Sequence, residues 1–243
     1  MYLTLPTKLP EPVQQLTHHY IGRDGTEKEA TQAVLNEHAL TVTVNETLSM
    51  SFVCLPQHLP ELVIGHLATE RLIRSASEVW SLAFDETGKH AEVTLTHSLP
   101  AKLPDPVSAS PAVCKKEWIF ALADRFADGM PIHQQTTATH SCFLAIQDQI
   151  LFDCEDIGRH NALDKAIGYA LREGLKLQDC ILYSSGRVPT DMLCKALYAG
   201  VPILVSKGAP TTKAVELARR YDLTLICAAR RDRMKLFSGQ LPS

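Results

Sequence analysis

The 243-residue chain has no stretch of about 18 uninterrupted apolar residues, so nothing in it reads as a membrane span. It has no strong charge bias either. Lys and Arg number 24 against 27 Asp and Glu, a net charge of −3, which argues against a generic nucleic-acid binder without excluding local basic patches. Of its seven cysteines, at 54, 114, 142, 154, 180, 194 and 227, no two are separated by only two residues. A Cys-x-x-Cys redox motif and a paired zinc knuckle are therefore excluded, and reduced thiols are expected. There is no G-x-x-x-x-G-K-[ST], no G-x-G-x-x-G and no G-x-S-x-G, which removes P-loop nucleotidases, dinucleotide-binding Rossmann units and serine-elbow hydrolases. His133 and His140 have no close Cys or carboxylate companion, so no zinc is expected. The opening MYLTLPTKLPEP lacks a basic head followed by an apolar run, and the cytoplasm is the expected compartment.

What is present is an ordinary globular composition, 45% hydrophobic, at a length that allows one large domain or two small ones. Residues 1–32 carry Pro6, Pro10 and Pro12 with little periodicity and read as a loose arm. In 33–99, Leu40, Val42 and Val44 alternate, as do Leu48, Met50 and Phe52 across an Asn-Glu-Thr turn, which predicts a hairpin. PELVIGHLATERLI follows at helical spacing, and VWSLAF and AEVTLT form a second hairpin about Asp85–Gly88. These elements predict a small α+β domain. Four prolines in LPAKLPDPVSASPAV mark 100–112 as a linker. From 113 to 243, a helix near Lys115–Phe126 and a hairpin, CFLAIQ and ILFDC, precede alternating helices and β-rich runs. Such alternation predicts βαβ units and an α/β/α sandwich, with Gly174 and Gly200 as helix stops.

In a parallel sheet the loops leaving the strand C-termini gather on one edge. Here those loops hold Glu155, Asp156, Ile157, Gly158, Arg159 and His160; then Ser184, Ser185, Gly186 and Arg187; then Ser206, Lys207 and Gly208; then Ala228, Ala229, Arg230, Arg231, Asp232 and Arg233. Each loop carries Arg or Lys, three carry Gly, and three lead into a helix. Cations, helix N-termini and exposed backbone N–H groups together suit a phosphate or pyrophosphate. Plainer roles are available for single residues: Asn161 as a helix N-cap, Asp164 as a first-turn acid, Gly186 and Gly208 as turn residues. They leave unexplained why basic residues recur in four successive loops.

The runs EDIGRHNALDKAIG, SSGR, KGAPTTKAVELA and LTLICAARRDR resemble, in order and spacing, the formate dehydrogenase accessory sulfurtransferase (FdhD) family. EHALTVTVNETLSMSFVCLPQHLPELVIGHLATERLI and TTATHSCFL extend the resemblance to about residues 33–240. It implies a C-terminal fold similar to the cytidine deaminases, without zinc. It also implies sulfur transfer, from a cysteine desulfurase to molybdenum cofactor destined for formate dehydrogenase, and binding of the cofactor's guanine dinucleotide form (bis-molybdopterin guanine dinucleotide) or a guanine nucleotide. The implied site residues are Asp156, Gly158, Arg159, His160, Asn161, Ser184, Ser185, Gly186, Arg187, Lys207 and the 228–233 run, with Asp156 orienting Arg159. Formate dehydrogenase and a cysteine desulfurase are the implied partners, with a homodimer left open.

Three departures from the family pattern stand out. The C-G-x-C-G loop whose cysteines hold the persulfide is missing, and Cys114, beside Lys115 and Lys116, is the one thiol near its place. Thr137 stands where the family has glycine, and Lys207-Gly208 where it has Ser-Ala. Two alternatives therefore stay open: a cofactor- or guanine-nucleotide-binding module that transfers no sulfur, and a phosphate-ester enzyme using Asp156 and His160 as acid and base.

Overall fold

The computed structural model describes residues 1–99 and 112–241, so the predicted linker lies outside the described residues except for Ala112. The chain is a mixed α/β protein in which strands gather into three sheets. Before the linker come β1 (Tyr2–Thr4), β2 (Val13–Ile21), β3 (Glu27–Leu35), β4 (His38–Val44), β5 (Leu48–Cys54), α1 (Leu59–Thr69), β6 (Val79–Phe84) and β7 (His90–Leu95). After it come α2 (Lys116–Ala127), α3 (Pro131–Thr136), β8 (His140–Ile146), β9 (Gln149–Asp156), α4 (Arg159–Arg172), β10 (Ile181–Ser184), α5 (Thr190–Ala199), β11 (Ile203–Ser206), α6 (Thr212–Arg220), β12 (Thr224–Cys227) and β13 (Lys235–Ser238).

The loose arm is a correction. β1 joins the first sheet parallel to β6, and β2 pairs with β3 over nine residues about a turn at Gly25. Most side chains of this hairpin are exposed. With no face buried, it shows no apolar alternation for a periodicity reading to detect.

The first sheet has strand order β1-β6-β7-β4-β5. Leu40, Val42, Leu82, Val93 and their neighbours on one face pack against Leu62, Val63 and Leu67 of α1. The second has order β13-β12-β11-β10-β8-β9. Its strands alternate sides: Leu144, Leu182, Leu204 and Leu225 point to α4, α5 and α6, whereas Phe143, Tyr183, Val205 and Ile226 point to α2. Helices thus cover both faces, and each strand's period of two feeds two cores. β10, β11 and β12 are mutually parallel, while β8 is antiparallel to both β10 and β9. The C-termini of β9, β10, β11 and β12 therefore share one edge with the start of β8.

α1 and α4 join the two sheets. They cross at Gly65 and Gly168, where an added Cβ would lie 1.8 Å from the Asp164 carbonyl oxygen or 1.9 Å from that of Glu61. Only hydrogen fits between the backbones there. Arg172 of α4 pairs with Glu61 of α1. Buried between α1, α4 and α5, Asp164 accepts from Lys195 Nζ at 2.8 Å and from Thr69 Oγ1 at 2.8 Å, with His66 Nδ1 at 2.9 Å. Burial works against its charge, yet His66 and Lys195 hold the carboxyl below the ordinary aspartate range. Asp164 is thus a buried member of a joint, deep in α4 and not a first-turn acid.

Candidate functional site

The run from Glu155 to Lys165 divides into residues that build the scaffold and residues that face outward. Glu155 is buried, accepting the Ile132 and His133 N–H groups at 2.8 and 2.7 Å and the Thr139 hydroxyl at 2.6 Å. It holds the start of α3. Asp156 is fully buried and does not orient Arg159. Its Oδ2 lies 2.5 Å from Lys165 Nζ, also buried, and accepts the Leu55 N–H at 3.2 Å. Its Oδ1 accepts from Gly158 N and Asn161 Nδ2. Lys165 sits two turns into α4 and reaches back beneath the loop, so a charge pair hidden in the sequence takes the carboxylate that Arg159 was expected to use. Gly158, not Asn161, caps α4. Asn161 instead donates to the Val53 carbonyl at 2.8 Å, tying this loop to β5.

Arg159 and His160 turn outward. The Arg159 stem runs across Gly186, where a Cβ would lie 2.7 Å from Arg159 Cδ, and its Nε is buried with no hydrogen-bond partner among the described residues. His160 Nε2 meets Asp191 Oδ2 at 2.9 Å on the first turn of α5. Burial opposes ionisation of Asp191, but the Met192 N–H and His160 outweigh it and lower its pKa. With Asp156 sealed in its pair and His160 held by Asp191, the acid–base pair of a phosphate-ester enzyme is not assembled.

The three following loops are zipped together. Lys207 N donates to Ser184 O, Val188 N to Ala209 O, Ala228 N to Gly208 O and Ala229 N to Ser206 O. Ser206 Oγ bonds the Gly186 carbonyl, and Gly208 N donates to Ser206 Oγ at 2.8 Å. Neither Gly186 nor Gly208 has a left-handed backbone, so tight-turn geometry does not explain them. They permit close approach: a Cβ on Gly208 would lie 2.6 Å from the Gly186 oxygen. The left-handed residue of these loops is Ala228, at φ 51°.

Of the predicted basic residues, Arg187 and Lys207 are exposed at the ends of β10 and β11. Among the described residues, neither they nor Arg159 pairs with a carboxylate. Arg230 turns one guanidinium nitrogen, Nη1, to the Lys207 and Ala229 carbonyls at 2.5 and 2.8 Å. Arg231 leaves the group, pairing at 2.5 Å with Asp128 just past α2, and Arg233 pairs at 3.0 Å with its neighbour Asp232 in solvent. His140 was missed by the sequence reading. It opens β8 opposite Asp156, and its Nδ1 lies 3.0 Å from Ser185 Oγ, which also accepts the Ser141 N–H at 3.0 Å. The signal lay in the antiparallel hairpin: a strand that runs back into a parallel sheet starts on the edge where its neighbours end.

A match to the family model described as FdhD/NarQ covers residues 35–104 and 97–241. The chain belongs to the FdhD/NarQ family. Among curated relatives, the sulfur carrier protein FdhD of Halalkalibacterium halodurans is 34% identical over 84% of this chain and 86% of its own length. That of Bacillus pumilus is 32% identical over 93% and 95%. A crystal structure described as that of a formate dehydrogenase accessory protein from Desulfotalea psychrophila superposes with a TM-score of 0.84, covering 94% of this chain and 98% of that one at 24% identity. At that identity the likeness carries the fold.

The thiols of this FdhD/NarQ member are poorly placed for sulfur chemistry. Cys114 is fully buried before α2, and burial pushes its thiol up to about 11. Lys115, its neighbour in sequence, lies over the Trp118 ring. Burial likewise raises Cys180 to about 11 and Cys54, Cys154 and Cys227 to about 12, and Cys142 well above the ordinary value. Only Cys194, on α5, is partly exposed. Cys114, the one thiol near the place of the missing loop, is thus as buried as the core cysteines, and the contrast in exposure lies between Cys194 and the rest.

Proposed function

We propose that this chain is an accessory protein of formate dehydrogenase maturation that binds the guanine dinucleotide form of molybdenum cofactor, or a guanine nucleotide, at the strand-end edge. The observation that carries this reading is the set of cations left without carboxylate partners there: Arg159, Arg187 and Lys207, beside the N-termini of α4 and α5. Oriented N–H groups and unpaired guanidinium groups are suited to a pyrophosphate. The orphaned Arg159 Nε is a donor awaiting an acceptor, which fits such a ligand. Arg159, Arg187 and Lys207 would hold its phosphates, while the molybdenum centre itself supplies the redox chemistry of the enzyme that receives it. Within this reading the chain works in the cytoplasm with a cysteine desulfurase and formate dehydrogenase. No described helix is long and apolar enough to cross a membrane. The two-unit division, 33–99 and 113–243, and a cytidine deaminase-like C-terminal layer belong to the same reading.

The buried cysteines favour a second form of it, in which the protein holds cofactor without carrying sulfur on its own thiols. A persulfide carrier needs an accessible thiolate, and six of the seven thiols are buried. Incubation with a cysteine desulfurase and cysteine, followed by intact mass, separates the two forms. No added sulfur is expected in the second; one added sulfur, lost on mutating a single cysteine, establishes the first. For the shared binding site, calorimetry with GDP is the test. Arg187→Ala is expected to weaken binding roughly ten- to hundredfold, the worth of a charged hydrogen bond, with stability unchanged within about 0.5 kcal/mol. Equal binding by the variant rejects the site.

A further inference from the structure

We infer that His140 is a neutral hydrogen-bond donor to the bound ligand and that Ser185 is the residue that positions it. This rests on the reading that the strand-end edge takes cofactor phosphates. The geometry begins at Ser185, whose Oγ already accepts the Ser141 N–H at 3.0 Å. Its single hydroxyl proton is then best used by a second acceptor, and His140 Nδ1 stands 3.0 Å away. A ring that accepts at Nδ1 carries its proton on Nε2. Among the described residues, Nε2 of His140 meets no other hydrogen-bonding group, so this N–H is left for a ligand.

The surroundings keep the ring uncharged. Burial comes first, followed by Arg159 and His160 of α4 and His133 of the α3 turn, all of which lower its pKa, with Asp156 of β9 acting weakly against them. His133 is itself engaged with the Thr139 carbonyl at 3.0 Å, and His160 with Asp191. Asp156 is neutralised by Lys165. His133 and His160 each turn one ring nitrogen to a group that can only accept, a carbonyl and a carboxylate, whereas His140 turns its Nδ1 to a hydroxyl that can donate to it, so His140 is the imidazole of this cluster whose own N–H is left over. Beside Arg159, whose Nε is also unpartnered, it adds a directional donor that does not depend on a second positive charge. A neutral donor beside a fixed cation can select a phosphate oxygen by position, because it is not drawn to every anion.

Two measurements test this together. Long-range proton–nitrogen NMR at pH 7 reports the tautomer, and GDP titration across pH 6–8 reports its use. Nδ1 is expected to be unprotonated in the parent and to lose that uniform state in Ser185→Ala. Affinity should weaken about three- to tenfold in His140→Leu, as for a lost neutral hydrogen bond. His140→Gln, whose amide N–H can take the place of Nε2–H, should stay within about twofold. An imidazolium or an Nδ1–H tautomer in the parent overturns the inference, as does a His140→Leu protein that binds like the parent. The Gln variant and the NMR signal decide if the Leu variant does not fold. A parent that binds no GDP defeats the cofactor reading itself, whereas a binding parent with an indifferent Leu variant defeats only the role of His140.

Discussion

The seam between the two sheets and the edge where the strands end use the same short stretch of chain in opposite ways. In the seam the buried carboxylates are answered: Asp156 by Lys165, Asp164 by Lys195, and Glu61 by Arg172. At the edge, Arg159, Arg187 and Lys207 are left without carboxylates among the described residues. A buried charge without a partner is strongly destabilising, whereas an exposed one costs little and can wait for a ligand. The E-D-I-G-R-H-N-A-L-D-K run is mostly architecture. Its Glu, both Asp, Asn and Lys fix α3, β5 and α1 around the loop, which leaves Arg159 and His160 facing out.

The comparison breaks most readily at the helix crossing. Gly168→Leu would force a side chain into the Glu61 backbone, where overpacking costs about 3 kcal/mol or more and far outweighs the roughly 1 kcal/mol that removing a helical glycine returns. Loss of the folded state in thermal denaturation is expected. Gly186→Ala at the edge would press on Arg159 Cδ and Cβ, at 2.7 and 2.9 Å, with no backbone atom among its nearest contacts, and should lower ligand affinity at a smaller cost to the fold than Gly168→Leu. Similar losses of stability in both variants would erase the distinction.

Next in size is Asp164→Ala, which strands Lys195 among buried groups and should cost about 3–5 kcal/mol in denaturant unfolding. The same carboxyl gives a pH signature. Its folded pKa lies below the unfolded value, so its contribution is present above about pH 4 and is lost as pH falls through the folded pKa. Asp164→Asn should therefore be less stable at neutral pH and show a shallower decline below about pH 4 than the parent. Parallel acid limbs would show that the seam charge contributes nothing.

The smallest expected effect is at Thr137, which closes α3 with a left-handed backbone, φ 54°. A β-branched residue there is strained by about 1–2 kcal/mol, and glycine's greater unfolded-state freedom takes back about 0.5–1 kcal/mol. Thr137→Gly should stabilise the protein by about 0.5–1 kcal/mol with GDP affinity unchanged. Destabilisation would mean that the Thr137 hydroxyl, which donates to the Thr136 carbonyl at 2.8 Å, outweighs the backbone strain.

Much of the fold was legible because it is written in local periods. Alternation placed β4–β7, and helical spacing placed α2 within a residue of its ends, with Gly174 and Gly200 marking where α4 and α5 stop. α1 stops at Thr69 instead of running on to Ile73, because Arg71 takes a left-handed backbone. The six-residue α3 went unseen because the N–H groups of its first turn are satisfied by Glu155, a residue distant in sequence. The N-terminal hairpin went unseen because it buries neither face.

Residue pattern alone yields the alternation of strands and helices after β8, the single edge on which four strands end, and the basic character of that edge, since each follows from short-range pattern and chain direction. Which charges are spent and which are free is fixed by packing in three dimensions. Whether Asp156 meets Arg159 or Lys165, whether Arg231 faces the edge or α2, and whether Cys114 sees solvent all depend on long side chains choosing among neighbours brought together by packing. Burial makes each choice nearly absolute, because an unpaired charge inside costs far more than one outside. The spacing of residues along the chain carries no record of that cost.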